Sequence, residues 1–262
     1  MTKPCFRNTI LMVCLTAAAS ASAEPVLWID DSSGNLGKVD VATGAVTMVG
    51  NMGAVMTDIA FDPSGNLFGI TFGNLYSIDP VTASSTIIGN LGTSLNSLVF
   101  SSAGTLYGAN SSLYSINTST GVASFVGNGG AAYNSSGDLA FVDGNLYLSS
   151  TFPVSDSLTQ INTATGVGTA VGPMGVSNVY GLATNDNVNL YGVAGTSVYA
   201  VNTITGASTF LVNYGGHGLG VANGTAFFLE AAPIPEPETY AMLLAGLGLL
   251  GFMTHRRKES TV

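Results

Sequence analysis

Residues 58–89 read D-I-A-F-D-P-S-G-N-L-F-G-I-T-F-G-N-L-Y-S-I-D-P-V-T-A-S-S-T-I-I-G. Short apolar runs, rich in β-branched and aromatic residues, alternate here with Gly, Pro, Ser, Asn and Asp. Runs of that length between turn formers read as strands. The stretch holds four of them, and the chain repeats the set.

The phrase apolar–Asp/Asn–x–x–Thr–Gly occurs as V-D-V-A-T-G, I-D-P-V-T-A, I-N-T-S-T-G, I-N-T-A-T-G and V-N-T-I-T-G. Its polar positions are Asp40, Asp79, Asn117, Asn162 and Asn202, a period of roughly 40 residues. A second phrase travels with it: G-N-L-F at Gly65, G-T-L-Y at Gly104, G-N-L-Y at Gly144, V-N-L-Y at Val188 and G-T-A-F at Gly224. A third precedes that one, as D-I-A-F at Asp58, S-L-V-F at Ser97, D-L-A-F at Asp138, G-L-A-T at Gly181 and G-L-G-V at Gly218. A fourth ends each unit in Val-Gly or Ile-Gly at Val49, Ile88, Val126 and Val171, with Val212-Asn213 in the last.

The turns have matching chemistry. Asp143-Gly144 and Asn223-Gly224 are strong hairpin signals between first and second strands, because these residues tolerate positive φ. Between third and fourth strands, the Asp or Asn side chain bonds the backbone two residues on. Gly44, Gly121, Gly166 and Gly206 then supply the left-handed position. Ala83 stands where the second unit should have glycine, which predicts a different turn there.

Four antiparallel strands per roughly 40 residues, repeated head to tail, predict an all-β chain folded as a β-propeller of about five four-stranded blades. Small residues at Ala60, Ala140, Ala183 and Gly220 suit crowded innermost strands. A β-solenoid would need short, self-similar coils, and the four phrases of a unit do not resemble one another. Closure stays open at this point. Val26-Leu27-Trp28-Ile29 and Ala226-Phe227-Phe228-Leu229 both align with the second-strand phrase. The terminal strands either share a blade or leave one redundant edge.

The ends carry export signals. Lys3 and Arg7, an apolar stretch over 9–19 and the small-residue site Ala21-Ser22-Ala23 form a secretory signal peptide over 1–23, with cleavage expected after Ala23. Cys5 and Cys14 both fall in that segment, so the exported chain has no thiol for disulfide, metal or nucleophilic chemistry. The ectodomain, 24–232, is long enough to hold itself together by burial. It contains one basic residue, Lys38, against twelve acidic ones. Such a surface cannot neutralise phosphates, which excludes nucleic acid as a partner.

At the other end, Pro233, Pro235 and Pro237 stiffen a connector over 233–238. An uncharged apolar run follows, read as a transmembrane helix over 239–255, and Arg256, Arg257 and Lys258 open a basic cytoplasmic tail over 256–262. Pro235-Glu236-Pro237, one hydrophobic helix and an Arg-rich end, in that order, resemble the PEP-CTERM sorting signal of Gram-negative bacteria. The resemblance implies processing by an exosortase-type membrane transpeptidase. It also implies delivery to the cell surface or the extracellular polymer matrix after transient anchoring in the inner membrane.

Chemistry is sparse between the signals. The ectodomain has one histidine, His217, and glutamates only at its ends, Glu24 and Glu230. No catalytic constellation is expected, and no resident cofactor or metal. Calcium is the one metal question. It is raised by the oxygen-rich loops Asp30-Asp31-Ser32-Ser33-Gly34-Asn35 and Asp62-Pro63-Ser64-Gly65-Asn66, which match no complete site and read first as turns. The expected function is that of a non-enzymatic binding or structural module, with extracellular polysaccharide or a surface protein as partner. The alternative is a secreted hydrolase or lyase acting on extracellular polysaccharide. That reading requires Asp138, Asp156, Asp186 and His217 to converge on one pocket.

Overall fold

In the computed structural model, described over residues 25–128 and 133–228 and at Leu247, twenty strands form five separate four-stranded antiparallel sheets. The first sheet contains β1 (Val26–Asp31), β2 (Asn35–Asp40) and β3 (Val46–Asn51). The second is β4 (Asp58–Phe61), β5 (Leu67–Ile70), β6 (Asn74–Ile78) and β7 (Ser85–Asn90). The third is β8 (Ser97–Phe100), β9 (Leu106–Ala109), β10 (Leu113–Ile116) and β11 (Ala123–Gly127). The fourth is β12 (Ser135–Val142), β13 (Asn145–Ser150), β14 (Ser157–Ile161) and β15 (Gly168–Pro173). The fifth is β16 (Val179–Ala183), β17 (Leu190–Ala194), β18 (Ser197–Val201) and β19 (Ser208–Asn213). The last strand, β20 (Ala222–Phe227), pairs with β1 and completes the first sheet in the order β20-β1-β2-β3.

The ring is therefore closed by its two ends. β20, β4, β8, β12 and β16 line the axis, and each packs on the next around the circle. Closure corrects the reading of the last unit. The G-L-G-V phrase at Gly218 is loop, and Asn223-Gly224 lies inside β20 rather than in a hairpin turn. Ala226-Phe227 occupies the first-strand position, because β1 already fills the second. A C-terminal strand can close this ring only as its innermost member.

The hydrophobic core is five wedges, one between each pair of neighbouring sheets. Leu27, Ile29 and Val39 meet Ala183, Val193 and Val198 across the junction that closes the ring. Trp28 and Leu36 meet Ile59, Phe61 and Leu67 across the next. Inner strands such as β4 are buried at every position, on both faces, whereas the outermost strands are half-exposed. Aromatic pairs mark four of the five junctions: Trp28–Phe61, Phe68–Phe100, Tyr107–Phe141 and Tyr191–Phe227, with ring centres 5.2–6.0 Å apart. In each, a second-strand ring packs on a ring at or next to the end of the neighbouring inner strand. Thr184 replaces that ring at the remaining junction, opposite Tyr147.

The turns explain two of the repeated phrases together. Asp40, Asn117, Asn162 and Asn202 each accept two backbone N–H bonds with Oδ1, and a left-handed glycine follows. Ala83 was expected to break the pattern, but it adopts the same conformation, with φ 63°, and donates its N–H to the Asp79 carbonyl as the glycines do to theirs. In the outermost strands the Val-Gly phrase is a β-bulge, and its glycine presses on the Thr-Gly turn of the next sheet. Side chains at Gly89, Gly127 or Gly172 would overlap the carbonyls of Thr120, Thr165 or Thr205. The Thr-Gly and Val-Gly phrases thus interlock around the rim.

The expected signal peptide, its cleavage point at Ala23, the 233–238 connector, the 239–255 span and the basic tail lie outside the described residues. Among the described residues no helix is long and apolar enough to cross a membrane.

Candidate functional site

The inner strands all begin at one face of the ring. The residues there and just before them line an open axial cup of about 530 Å³, among them Val55, Thr57, Phe72, Asn96, Tyr180 and Asn223. Phe72 and Val55 are exposed at 61% and 50%, so the rim is partly apolar. Asn96 and Asn223 are held as rim groups by donating to the carbonyls of Ser135 and Met56. Pockets that combine apolar surface with a few fixed polar groups are the usual form of a binding site.

One residue below this cup is a cluster that no local motif announces. Thr57, Gly137 and Asn223 line the cup, and the residues after them are Asp58, Asp138 and Gly224. Asp58 and Asp138 are fully buried and bond the neighbouring inner strands: Leu98 N–H donates to Asp58 Oδ2 at 2.5 Å, and Leu182 N–H to Asp138 Oδ2 at 2.6 Å. Asp138 Oδ2 also accepts from the N–H and hydroxyl of Thr225 across the axis. The two carboxyl groups lie close together, so a proton between them relieves their repulsion.

Asp30 joins them from β1, and it too has no exposed surface. Neither of its carboxyl oxygens has a hydrogen-bond partner. The backbone N–H groups of Asp30 itself and Gly224 approach it and offset only part of the cost. Gly224 is what lets these groups meet, since a side chain there would overlap Asp58 and come within 2.8 Å of Asp30 Oδ1. Burial, then the neighbouring charges of Asp138 and Asp31, push the Asp30 carboxyl well above the usual range. Burial, then the charge and hydrogen bond of Asp138, do the same for Asp58. Asp138 is raised by burial, against the lowering effect of its hydrogen bonds. Lys38, the one basic residue among the described residues, does not serve the cluster; its Nζ lies 4.2 Å from the centre of the Trp28 ring. Among the described residues, no three His, Cys, Asp or Glu side chains form a ready-made metal cage.

The four residues required by the hydrolase reading do not share a pocket. Asp138 is in the buried axial cluster, while Asp156, half-buried, and His217, exposed, lie in loops on the cup side. Asp186 is in the β16–β17 turn on the opposite face, where it accepts from Val188 and Asn189. The oxygen-rich loops are turns. Asp31 accepts from Ser33, Asn35 and Gly220, and Asp62 from Ser64 and Asn66. Two further depressions, of about 450 and 570 Å³, lie on outer strands away from the axis and present no carboxylate, histidine or lysine. Sequence reasoning noted Asp58 and Asp138 as strand starts but missed their meeting with Asp30. The available signal was Asp30 itself, which stands where Ile70, Ala109 and Val193 stand in other sheets.

Residues 233–258 match the PEP-CTERM protein-sorting motif. That motif implies recognition by an exosortase and export with membrane-associated sorting. No curated protein matches the chain. Among solved structures, one described under the de novo evolutionary emergence of a symmetrical protein aligns with 81% of this chain and 100% of its own. Its TM-score is 0.53, at 19% identity. A protein of unknown function from Bacteroides thetaiotaomicron aligns with 73% of this chain and 58% of its own, with a TM-score of 0.50 at 14% identity. These likenesses concern the fold alone.

Proposed function

We propose that this chain is a non-enzymatic propeller sorted to the surface or extracellular polymer matrix of a Gram-negative bacterium, where its axial cup binds an extracellular polysaccharide or surface protein. The sorting motif at 233–258 carries the first half of this reading. Chain direction supports the second. β20 starts at the cup, beside Asn223, and ends at Phe227 on the far face, where β1 also starts. Both ends of the propeller therefore leave the side away from the cup. A chain held by its C-terminal segment presents the cup outward, and the turn carboxylates of Asp40, Asp62, Asp79, Asp143 and Asp186 lie on the side of the tether. The cup is left nearly uncharged, suited to neutral sugar hydroxyls and aromatic stacking.

Replacing Pro235, Glu236 and Pro237 with alanine tests the sorting. The chain should accumulate in the cell envelope and disappear from the surface fraction; undiminished surface display would overturn the reading. A glycan array probed with the exported chain tests the cup, with Phe72→Ala expected to abolish any signal.

A further inference from the structure

We infer that the buried centre below the cup is a binding site for a hard divalent cation of the calcium type, held by Asp30, Asp58 and Asp138. The argument starts from a break in the repeat. The second strands of other sheets place Ile70, Ala109 and Val193 opposite the start of the inner strand, all buried, and only β1 places a carboxylate there. Positions that break a local rule at a cost in stability are where function is found. The cost here is large, because a buried carboxylate loses its hydration and the nearby N–H groups of Asp30 and Gly224 return only part of it.

Asp58 and Asp138 have a structural use, since each ties its own inner strand to the next. Asp30 ties nothing. Neither of its oxygens has a hydrogen-bond partner, and Oδ1 lies with Asp58 Oδ1 against Gly224, where any side chain would push the two carboxyl groups apart. Oxygen ligands without nitrogen or sulfur suit calcium rather than zinc or copper. Thr57, Gly137 and Asn223 of the cup wall directly precede Asp58, Asp138 and Gly224 in the chain, so the cup is the solvent-facing side next to the site.

The trio is not a finished cage. The protons that the three carboxyl groups carry leave to solvent when the ion takes their place. The carboxylates then turn from each other to the metal, and Asp30 supplies the third ligand. This inference is independent of the sorting and of what the cup binds.

The test is calorimetric titration of the purified full chain with calcium chloride after treatment with EDTA, combined with thermal unfolding. One ion per chain and a Tm higher by roughly 5–10 °C at a hundredfold excess over Kd are expected. Asp30→Asn, which keeps the shape and removes the charge, should abolish both and raise Tm in EDTA. Asp186→Asn, in a surface turn, should bind as the parent does. No heat and no Tm shift in the parent would overturn the inference, as would an Asp30→Asn protein that binds calcium unchanged. Should that variant fail to fold, terbium decides on the parent protein. Trp28 is the chain's single tryptophan and lies two residues from Asp30, so indole excitation should sensitise terbium emission. Absence of that emission would equally reject the site.

Discussion

Gly127, in the outermost strand of the third sheet, lies directly against the Thr165 carbonyl in the turn of the fourth. No side chain fits at 127 without displacing that backbone. Gly127→Ala should therefore destabilise the ring by about 1–3 kcal/mol through overpacking. Gly73→Ala, where a methyl would meet only Asn90 Nδ2 at 3.9 Å, should instead be neutral or stabilising by up to about 1 kcal/mol. Urea unfolding of the two variants checks the contrast; equal losses would show that the rim is not interlocked.

Ala83 and Gly121 occupy the same turn position, with φ of 63° and 79°. A methyl at Gly121 would lie 2.7 Å from the backbone of Gly89, whereas the Ala83 methyl is buried beside Gly50 without such a clash. Ala83→Gly trades relief of the left-handed backbone, worth about 1–2 kcal/mol, against lost packing, so its net effect should stay within about 1 kcal/mol. Gly121→Ala incurs both the backbone cost and overpacking, and should cost about 2 kcal/mol or more. The midpoints of chemical denaturation should separate the pair.

Phe100 ends an inner strand, is 2% exposed and packs on Phe68 of the preceding sheet, with ring centres 5.3 Å apart. Phe100→Ala should cost about 3–5 kcal/mol. Thr184 has no aromatic counterpart for Tyr147, and Thr184→Ala should cost less than half as much.

Tyr133 is buried and donates its hydroxyl to the Gly166 carbonyl; burial, with a smaller contribution from Tyr114, raises its phenol to about 12. An unfolded tyrosine ionises near 10. A group whose folded pKa is raised contributes stability that is complete below the unfolded value and lost as pH rises toward the folded one. Stability should therefore fall between about pH 10 and pH 12. Tyr133→Phe should flatten that decline, read from phenolate absorbance and unfolding midpoints across the range.

The blades were legible because each strand phrase recurs with its turn, and side-chain chemistry such as Asp40 accepting from Ala42 and Thr43 is local. The role of β20 was not, since Ala226-Phe227 resembles a second-strand phrase, and only ring closure makes it the inner strand. Ala83 misled for a different reason. The turn is held by Gly50 of the preceding sheet and by its own Asp79, which together tolerate a conformation that alanine alone disfavours. The axial trio brings together residues from three sheets, so no spacing could reveal it; its one trace was Asp30, the only charged residue in a column otherwise made of Ile70, Ala109, Ser149 and Val193.

β20 packs between the inner strands β16 and β4, yet it is the last of the twenty in chain order. A polypeptide threaded across a membrane from its N-terminus delivers its keystone last. Until residue 227 emerges, the first and fifth sheets have no inner strand between them and the ring stays open. The sorting motif begins at residue 233, only a few positions later. The strand that completes the fold and the sorting segment are thus separated by only a few residues of chain.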